Sequence, residues 1–169
     1  MQKSKFLPRG RKDRTMVLVD IRETKSVKAA DIFLQIRPGK DFELITILRA
    51  MIKDQPITDE QLAETGISRE SLQDLVAGMK AAKFGVMFFG MGLSMSRGKH
   101  MNSAALLTLA AEMNAFTKFV AMPMRGHGYV TGADVIMRSQ TGYTFGISYK
   151  RGYPRYNPGE FSTVDILVR

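Results

Sequence analysis

The sequence predicts an α/β fold: an open, Rossmann-like, mostly parallel sheet with flanking helices, followed by a loop-rich C-terminal segment. Three observations carry this reading. Short apolar runs at 15–20, 31–36, 83–89 and 119–122 have the length and composition of buried strands. Longer stretches between them place apolar residues at helical spacing. From residue 125 onward the composition shifts to Gly, Tyr, Pro and Asn. Strand and helix therefore alternate through the middle of the chain, and parallel neighbours need such crossovers.

Residues 1–13 hold Lys3, Lys5, Arg9, Arg11 and Lys12 against Asp13 alone, with Pro8 and Gly10 breaking any helix. They read as an exposed basic arm or the tail of a missing segment. Residues 14–124 form the expected α/β core. Thr15 to Asp20 is its first strand, and Asp31 to Ile36 is the second, closed by the turn residues Pro38 and Gly39. Phe42, Leu44, Ile45, Ile47, Leu48, Met51 and Ile52 then recur as the buried face of a helix. Thr58 with Gln61 forms a capping box for a short helix. Ser68 caps another that runs through Met79 and turns Leu72, Leu75, Val76 and Met79 inward.

Lys83 to Phe89 is a strongly apolar strand that empties into a Gly90-Met91-Gly92 loop. A helix follows from about Ser103 to Ala115, then a strand from Phe119 to Met122, stopped by Pro123. Met79, Met87 and Met113 fall at buried positions and fill core gaps. Residues 125–169 form the loop-rich segment. It ends on Asp165 to Arg169 within an apolar pattern, so a fragment, or one piece of a split protein, is the expectation.

At 169 residues the chain is the size of one domain, and with 44% hydrophobic and 24% charged residues it can bury a core. Twenty-five Lys and Arg against 16 Asp and Glu leave a net charge of +9, which fits an anionic partner. No cysteine is present, which removes disulfides, thiolate catalysis and cysteine-held zinc or iron–sulfur clusters from this chain. His100 and His127 have no carboxylate pattern of metalloprotease type nearby, so no protein-only metal site is expected. Neither a signal core nor a run of about 18 apolar residues occurs, and a soluble, cytoplasmic protein without a membrane span is the expectation.

Open α/β sheets bind ligands beyond the carboxyl ends of their strands. Asp20 stands at such an end, with Arg22 just beyond it and Asp41 after the Pro38-Gly39 turn. A carboxylate there can accept from a ribose or base, and an arginine can pair with a pyrophosphate. Each also has a plainer reading, as a cap, a turn former or a solvated charge. Gly90 and Gly92 invite a dinucleotide-loop reading, but Met95 stands where the third glycine belongs. Gly92-Leu93-Ser94-Met95-Ser96 does not end in glycine, so it is no nucleophile elbow.

The stretches Val19 to Thr24 and Ala30 to Asp41 resemble the pterin-nucleotide segment of the molybdopterin oxidoreductase superfamily, to which formate dehydrogenases belong. Phe89 to Ser94, Met122 to His127 and Gly152 to Phe161 are similar to the formylmethanofuran dehydrogenase family, in its catalytic subunit from methanogenic archaea. The resemblance covers an internal part of that family's chain and implies two molybdopterin guanine dinucleotides carrying tungsten or molybdenum. On it, Asp20, Arg22 and Asp41 contact guanosine parts, and Thr24 is a further cofactor-binding residue. Gly90, Gly92, Ser94 and Met95 form a second cofactor contact, Gly126 and His127 a third. Arg125 is the implied catalytic arginine, holding formate during its two-electron interconversion with CO2.

The resemblance also implies methanofuran as a substrate and the other subunits of the complex as partners, cysteine-bearing polypeptides among them. The family's cluster cysteines and its thiolate or selenolate metal ligand have no counterpart here. An iron–sulfur cluster would therefore come from a missing segment or a partner, and this chain alone is expected to be inactive. A metal-free scaffold subunit of a formyltransferase/hydrolase complex is the alternative. A nucleic-acid module has only the net charge in its favour, because no recognition motif or clustered exposed aromatics accompany it.

Overall fold

In a computed structural model the described residues are 8–126 and 128–168. The chain divides after Met124 into two compact units. The first contains four strands, β1 (Val17–Asp20), β2 (Ile32–Gln35), β3 (Phe84–Phe89) and β4 (Lys118–Pro123). Its helices are α1 (Asp41–Ile52), α2 (Asp59–Thr65), α3 (Arg69–Ala81), α4 (Met91–Ser94) and α5 (His100–Met113).

The α/β class holds, but the strands do not join into one open sheet. β1 pairs with β2 from Val17↔Ile32 to Asp20↔Gln35, and β3 with β4 from Phe84↔Lys118 to Phe89↔Pro123, both parallel. These are separate two-stranded sheets. Most buried apolar side chains sit on helices, so helix packing rather than a continuous ladder unites the unit. Leu44, Ile45, Ile47, Leu48 and Ile52 of α1 are buried, and they share one core with Leu72 and Val76 of α3 and with Ala105, Leu109 and Met113 of α5. Leu34 and Phe119 add the strands' share. Leu75, Met79 and Met87 pack at its margin, half-buried.

Local chemistry fixes the element boundaries. Thr58 accepts from the Gln61 amide at 3.3 Å while Gln61 Oε1 accepts from the Thr58 amide at 2.9 Å, so the expected capping box is formed. Ser68 Oγ accepts from the Ser71 amide and starts α3. Asn114 closes α5 and opens β4: its Nδ2 donates to the Ala110 and Phe119 carbonyls, and its Oδ1 accepts from the Phe119 amide. Gly85 lies opposite Phe119 in the ladder, and a Cβ at Gly85 would enter the Phe119 ring. The missing side chain is the space that ring occupies.

Three boundaries differ from expectation. β3 runs almost directly into the single turn α4, where a loop was expected, because the Leu93 and Ser94 amides both donate to the Gly90 carbonyl. α5 starts at His100 rather than near Ser103. In the basic arm, residues 8–13 form a turn and a short 3-10 helix, with Arg11 donating to Asp31 at 2.7 Å and to the Ala29 carbonyl at 3.0 Å. Lys3 and Lys5 lie outside the described residues.

The second unit corrects the loop-rich expectation. It contains α6 (Val130–Thr141), a two-residue antiparallel pair of β5 (Ile147–Ser148) with β6 (Arg155–Tyr156), and the short helices α7 (Pro158–Phe161) and α8 (Thr163–Val168). Tyr143 stacks on Tyr156 with ring centroids 4.6 Å apart, and Phe145 meets the same ring edge-on. Among the described residues, no helix is long and apolar enough to cross a membrane.

Candidate functional site

The parallel pairing of β1 with β2 brings their carboxyl ends together. Asp20 ends β1, and its carboxylate accepts from the Ile21 amide at 2.7 Å. Gln35 ends β2, and its amide donates to the Ile21 carbonyl at 3.2 Å. A shallow depression of about 320 Å³ opens at this edge, lined by Ile21, Gln35, Ile36, Arg37, Pro38 and Gly66. Arg22 is exposed beside it. Thr24 uses its carbonyl to close the next turn, accepting from the Val27 amide at 3.1 Å, and its side chain makes no capping bond.

The turn after β2 meets the segment after α4. Gly39 has φ +72°, a conformation an L side chain rarely adopts, and it swings the chain into α1. Its open side faces Arg97: a Cβ there would lie 3.6 Å from the Arg97 Cβ. Asp41, the first residue of α1, accepts from Ser96 Oγ at 3.2 Å through Oδ2. Lys40 is engaged elsewhere, donating to Glu64 at 2.6 Å and Glu43 at 3.1 Å. Those two carboxylates, Glu64 foremost, raise the Lys40 pKa above its ordinary value.

Gly90 immediately precedes α4, and Gly92 lies within it. A Cβ at Gly92 would meet nothing within 4 Å, whereas one at Gly90 would stand 3.3 Å from the Met124 carbonyl. Ser94 Oγ lies 3.3 Å from the Gly90 carbonyl and donates to it. Met95 is 71% exposed, an unusual position for a large apolar side chain. Asp41 and the segment from Gly90 to Met95 are thus gathered through Ser96, and Asp20 and Arg22 stand at the carboxyl end of β1. Sequence reasoning missed Ser96. Its signal was the hydroxyl two residues beyond Ser94, in a loop already singled out.

Arg125 and Gly126 belong to the second unit. Arg125 Nη1 pairs with Asp134 Oδ2, a partner on α6 that the sequence reading did not find. Gly126 is exposed, and His127 lies outside the described residues.

At the opposite end of the β1–β2 pair, Arg11, Lys12, Arg14 and Lys28 line a wider cleft of about 700 Å³. Asp31 on its wall is held below the usual carboxylate range by the Met16 amide and then by Arg11. This cleft accommodates part of the positive charge.

The side chains at the strand ends fit the nucleotide part of a guanine dinucleotide. Asp41 Oδ1 accepts no bond from the described residues, and the Arg22, Arg37 and Arg97 guanidinium groups donate none to them. Each carboxylate oxygen can accept two bonds, so Asp41 keeps room on both for paired N–H donors beside Ser96, and guanidinium groups with unused N–H donors suit phosphate. Among the described residues no group of three or more His, Asp or Glu could hold a metal ion.

The fold defines an α/β protein of parallel strand pairs, with Asp20 and Arg22 at the end of β1 and Asp41 bonded through Ser96 to the segment after α4. No family model matches the chain. Over 164 residues, 97% of its length, it is 46% identical to the B subunit of tungsten-containing formylmethanofuran dehydrogenase 2 from Methanocaldococcus jannaschii and 47% identical to the protein of the same name from Methanococcus maripaludis. The chain spans 37% of the length of each of these relatives. It is therefore homologous to part of that polypeptide, in agreement with its motifs. In fold it is also similar to a chain of the formyltransferase/hydrolase complex from Methylorubrum extorquens, solved with methylofuran. The TM-score is 0.59 at 16% identity, covering 92% of this chain and 39% of that one.

Proposed function

We propose that this chain is a cofactor-nucleotide-holding part of the catalytic subunit of a formylmethanofuran dehydrogenase. The observation that carries the reading is the meeting of two strand-end loops at Asp41 and Ser96, in a chain 46–47% identical to the named relatives. Asp41 would accept the N1–H and N2–H of a guanine, a donor pair that adenine lacks. Asp20 would accept from a ribose or base, Arg22 would pair with a pyrophosphate, and the bare Gly92 would admit close approach. Gly90, Ser94, Met95 and Thr24 complete the contacts on the same reading. When bound, the molybdopterin cofactor supplies tungsten or molybdenum for two-electron interconversion of CO2 and formate.

Arg125 would orient the formate carboxylate through guanidinium N–H groups not used by Asp134, which holds the side chain's direction. Gly126 and His127 belong to this contact in the proposal. Methanofuran as formyl acceptor, the remaining subunits, a cluster-bearing polypeptide and a cytoplasmic location complete the reading. The names of the two relatives favour tungsten.

The test is recovery of the tagged chain from its host with all co-purifying polypeptides, followed by assay of tungsten, molybdenum, iron and released guanine nucleotide. Metal and guanine nucleotide together are expected, and Asp41→Asn lowers the nucleotide recovered at least fivefold. A second reading is a metal-free scaffold subunit of a formyltransferase/hydrolase complex, with which the fold likeness to a chain of the methylofuran-bound complex is compatible. Partners that come without metal or nucleotide would establish that one instead.

A further inference from the structure

Asn102 is fully buried in the first turn of α5, where a polar side chain needs partners. It reaches back over the preceding loop. Its Nδ2 lies 2.9 Å from the Leu93 carbonyl, 2.8 Å from the Arg97 carbonyl and 3.0 Å from Ser96 Oγ. Both carbonyls require a donor, which fixes the orientation of the amide. Its Oδ1 is buried and accepts no bond. That oxygen fills the space a side chain at residue 98 would need, and Gly98 sits at φ +96°. Lys99 follows at φ +45°, so two consecutive residues hold a left-handed backbone under the Asn102 amide. Such a conformation persists where the surroundings enforce it.

The Ser96 hydroxyl has one proton and two acceptors in reach, the Leu93 carbonyl at 3.0 Å and Asp41 Oδ2 at 3.2 Å. Asn102 already donates to the Leu93 carbonyl. A carboxylate oxygen is a stronger acceptor than a peptide carbonyl, so the competition favours Asp41. The Nδ2 group has two protons for three acceptors, so one is shared with Ser96 Oγ at 3.0 Å, and this directs the hydroxyl proton away from Asn102 toward Asp41.

We infer that Ser96, held by Asn102, is a positioning residue: by bonding one lone pair of Asp41 Oδ2 it fixes the plane of the carboxylate so that both oxygens face the ligand side by side, and thereby sets preference for a base with two adjacent N–H donors. The inference rests on the proposed nucleotide-holding role of Asp41. A carboxylate free to rotate still accepts one N–H readily, but it loses the alignment that two parallel bonds need. Fixing it therefore favours guanine over hypoxanthine, which lacks the second donor, more than it favours binding as such.

The test titrates the full chain and its variants with GDP, IDP and ADP. The wild type is expected to bind GDP more tightly than IDP or ADP. Ser96→Ala lowers the GDP-to-IDP affinity ratio about fivefold, the effect of roughly one aligned charge-assisted bond. Ser96→Thr keeps the hydroxyl and restores the ratio, and Asn102→Ala lowers it as Ser96→Ala does. General loosening of the loop would weaken all three nucleotides alike and leave the ratio unmoved. A ratio that survives Ser96→Ala, or that Ser96→Thr fails to restore, overturns the inference alone. A wild type that does not prefer GDP to ADP overturns the guanine reading of Asp41 itself.

Discussion

Before Arg125 the chain buries a row of Leu, Ile, Val and Met side chains, several of them completely. After it, no described residue is buried, although more than half of the segment from Val130 to Val168 is helical or extended. The first unit is held by apolar burial contributed by distant parts of the chain. The second is held by short-range pairs: Arg125 with Asp134, Tyr143 on Tyr156, and the Asn157 amide donating to the Gly146 carbonyl at 3.0 Å. Regular secondary structure is thus no measure of how a segment is stabilised. A cavity is the damaging change in one region, and the loss of a single contact in the other.

The largest expected effect is Leu72→Ala, which empties a fully buried site on α3. It should cost about 2–5 kcal/mol in urea denaturation. Ile136→Ala on α6, where the side chain is 57% exposed, should cost less than about 0.5 kcal/mol. Comparable losses from the two would erase the contrast.

A smaller effect is expected at Glu112, which joins α5 to α1. Its carboxylate accepts from Arg49 Nη2 at 2.8 Å and Nε at 3.0 Å, and Lys53 approaches at 2.7 Å. The Arg49 bonds, foremost, hold the Glu112 pKa below its ordinary value. Because the folded value is the lower one, this stabilisation is complete above the unfolded pKa of about 4.3 and is lost as pH falls through the folded value. Glu112→Gln should cost about 1–2 kcal/mol at pH 7 and remove that part of the acid dependence, read from denaturation midpoints between pH 7 and pH 3. An unchanged acid profile would mean that this bridge adds nothing to the apolar core.

A smaller effect than at Glu112 is expected from Tyr143→Ala. Removing the stacked ring should weaken the β5–β6 pair by about 0.5–1.5 kcal/mol, seen as faster amide exchange at Ile147 and Tyr156. Exchange already at the rate of an open chain in the wild type would show that the stack holds nothing.

Much of the first unit was legible because its signals are local. The spacing of Leu44, Ile45, Leu48 and Ile52 marks a helix face whatever lies across from it, and Thr58 with Gln61 satisfies helix-end amides within four residues. α6 was missed for an equally local reason. Tyr129 gives no side-chain cap at its start, Gly132 and β-branched residues dilute its propensity, and Gly142, read as loop composition, is its left-handed C-terminal glycine. In the candidate site, Asp20, Asp41 and the glycines stood out by type and by position near strand ends. Ser96 and Asn102 did not, because a buried amide that gathers three acceptors is visible only once the loop has folded back over α5.

The amino-acid order alone was enough for the α/β class, the strands, the capped helices and the family resemblance, since periodicity, caps and motif order are properties of neighbouring residues. Packing in three dimensions made the strands form separate parallel pairs, matched Arg125 with Asp134, and turned Asp41 toward Ser96. Those outcomes depend on which segments pack together, and a hydrogen bond across 55 residues leaves no trace in local spacing.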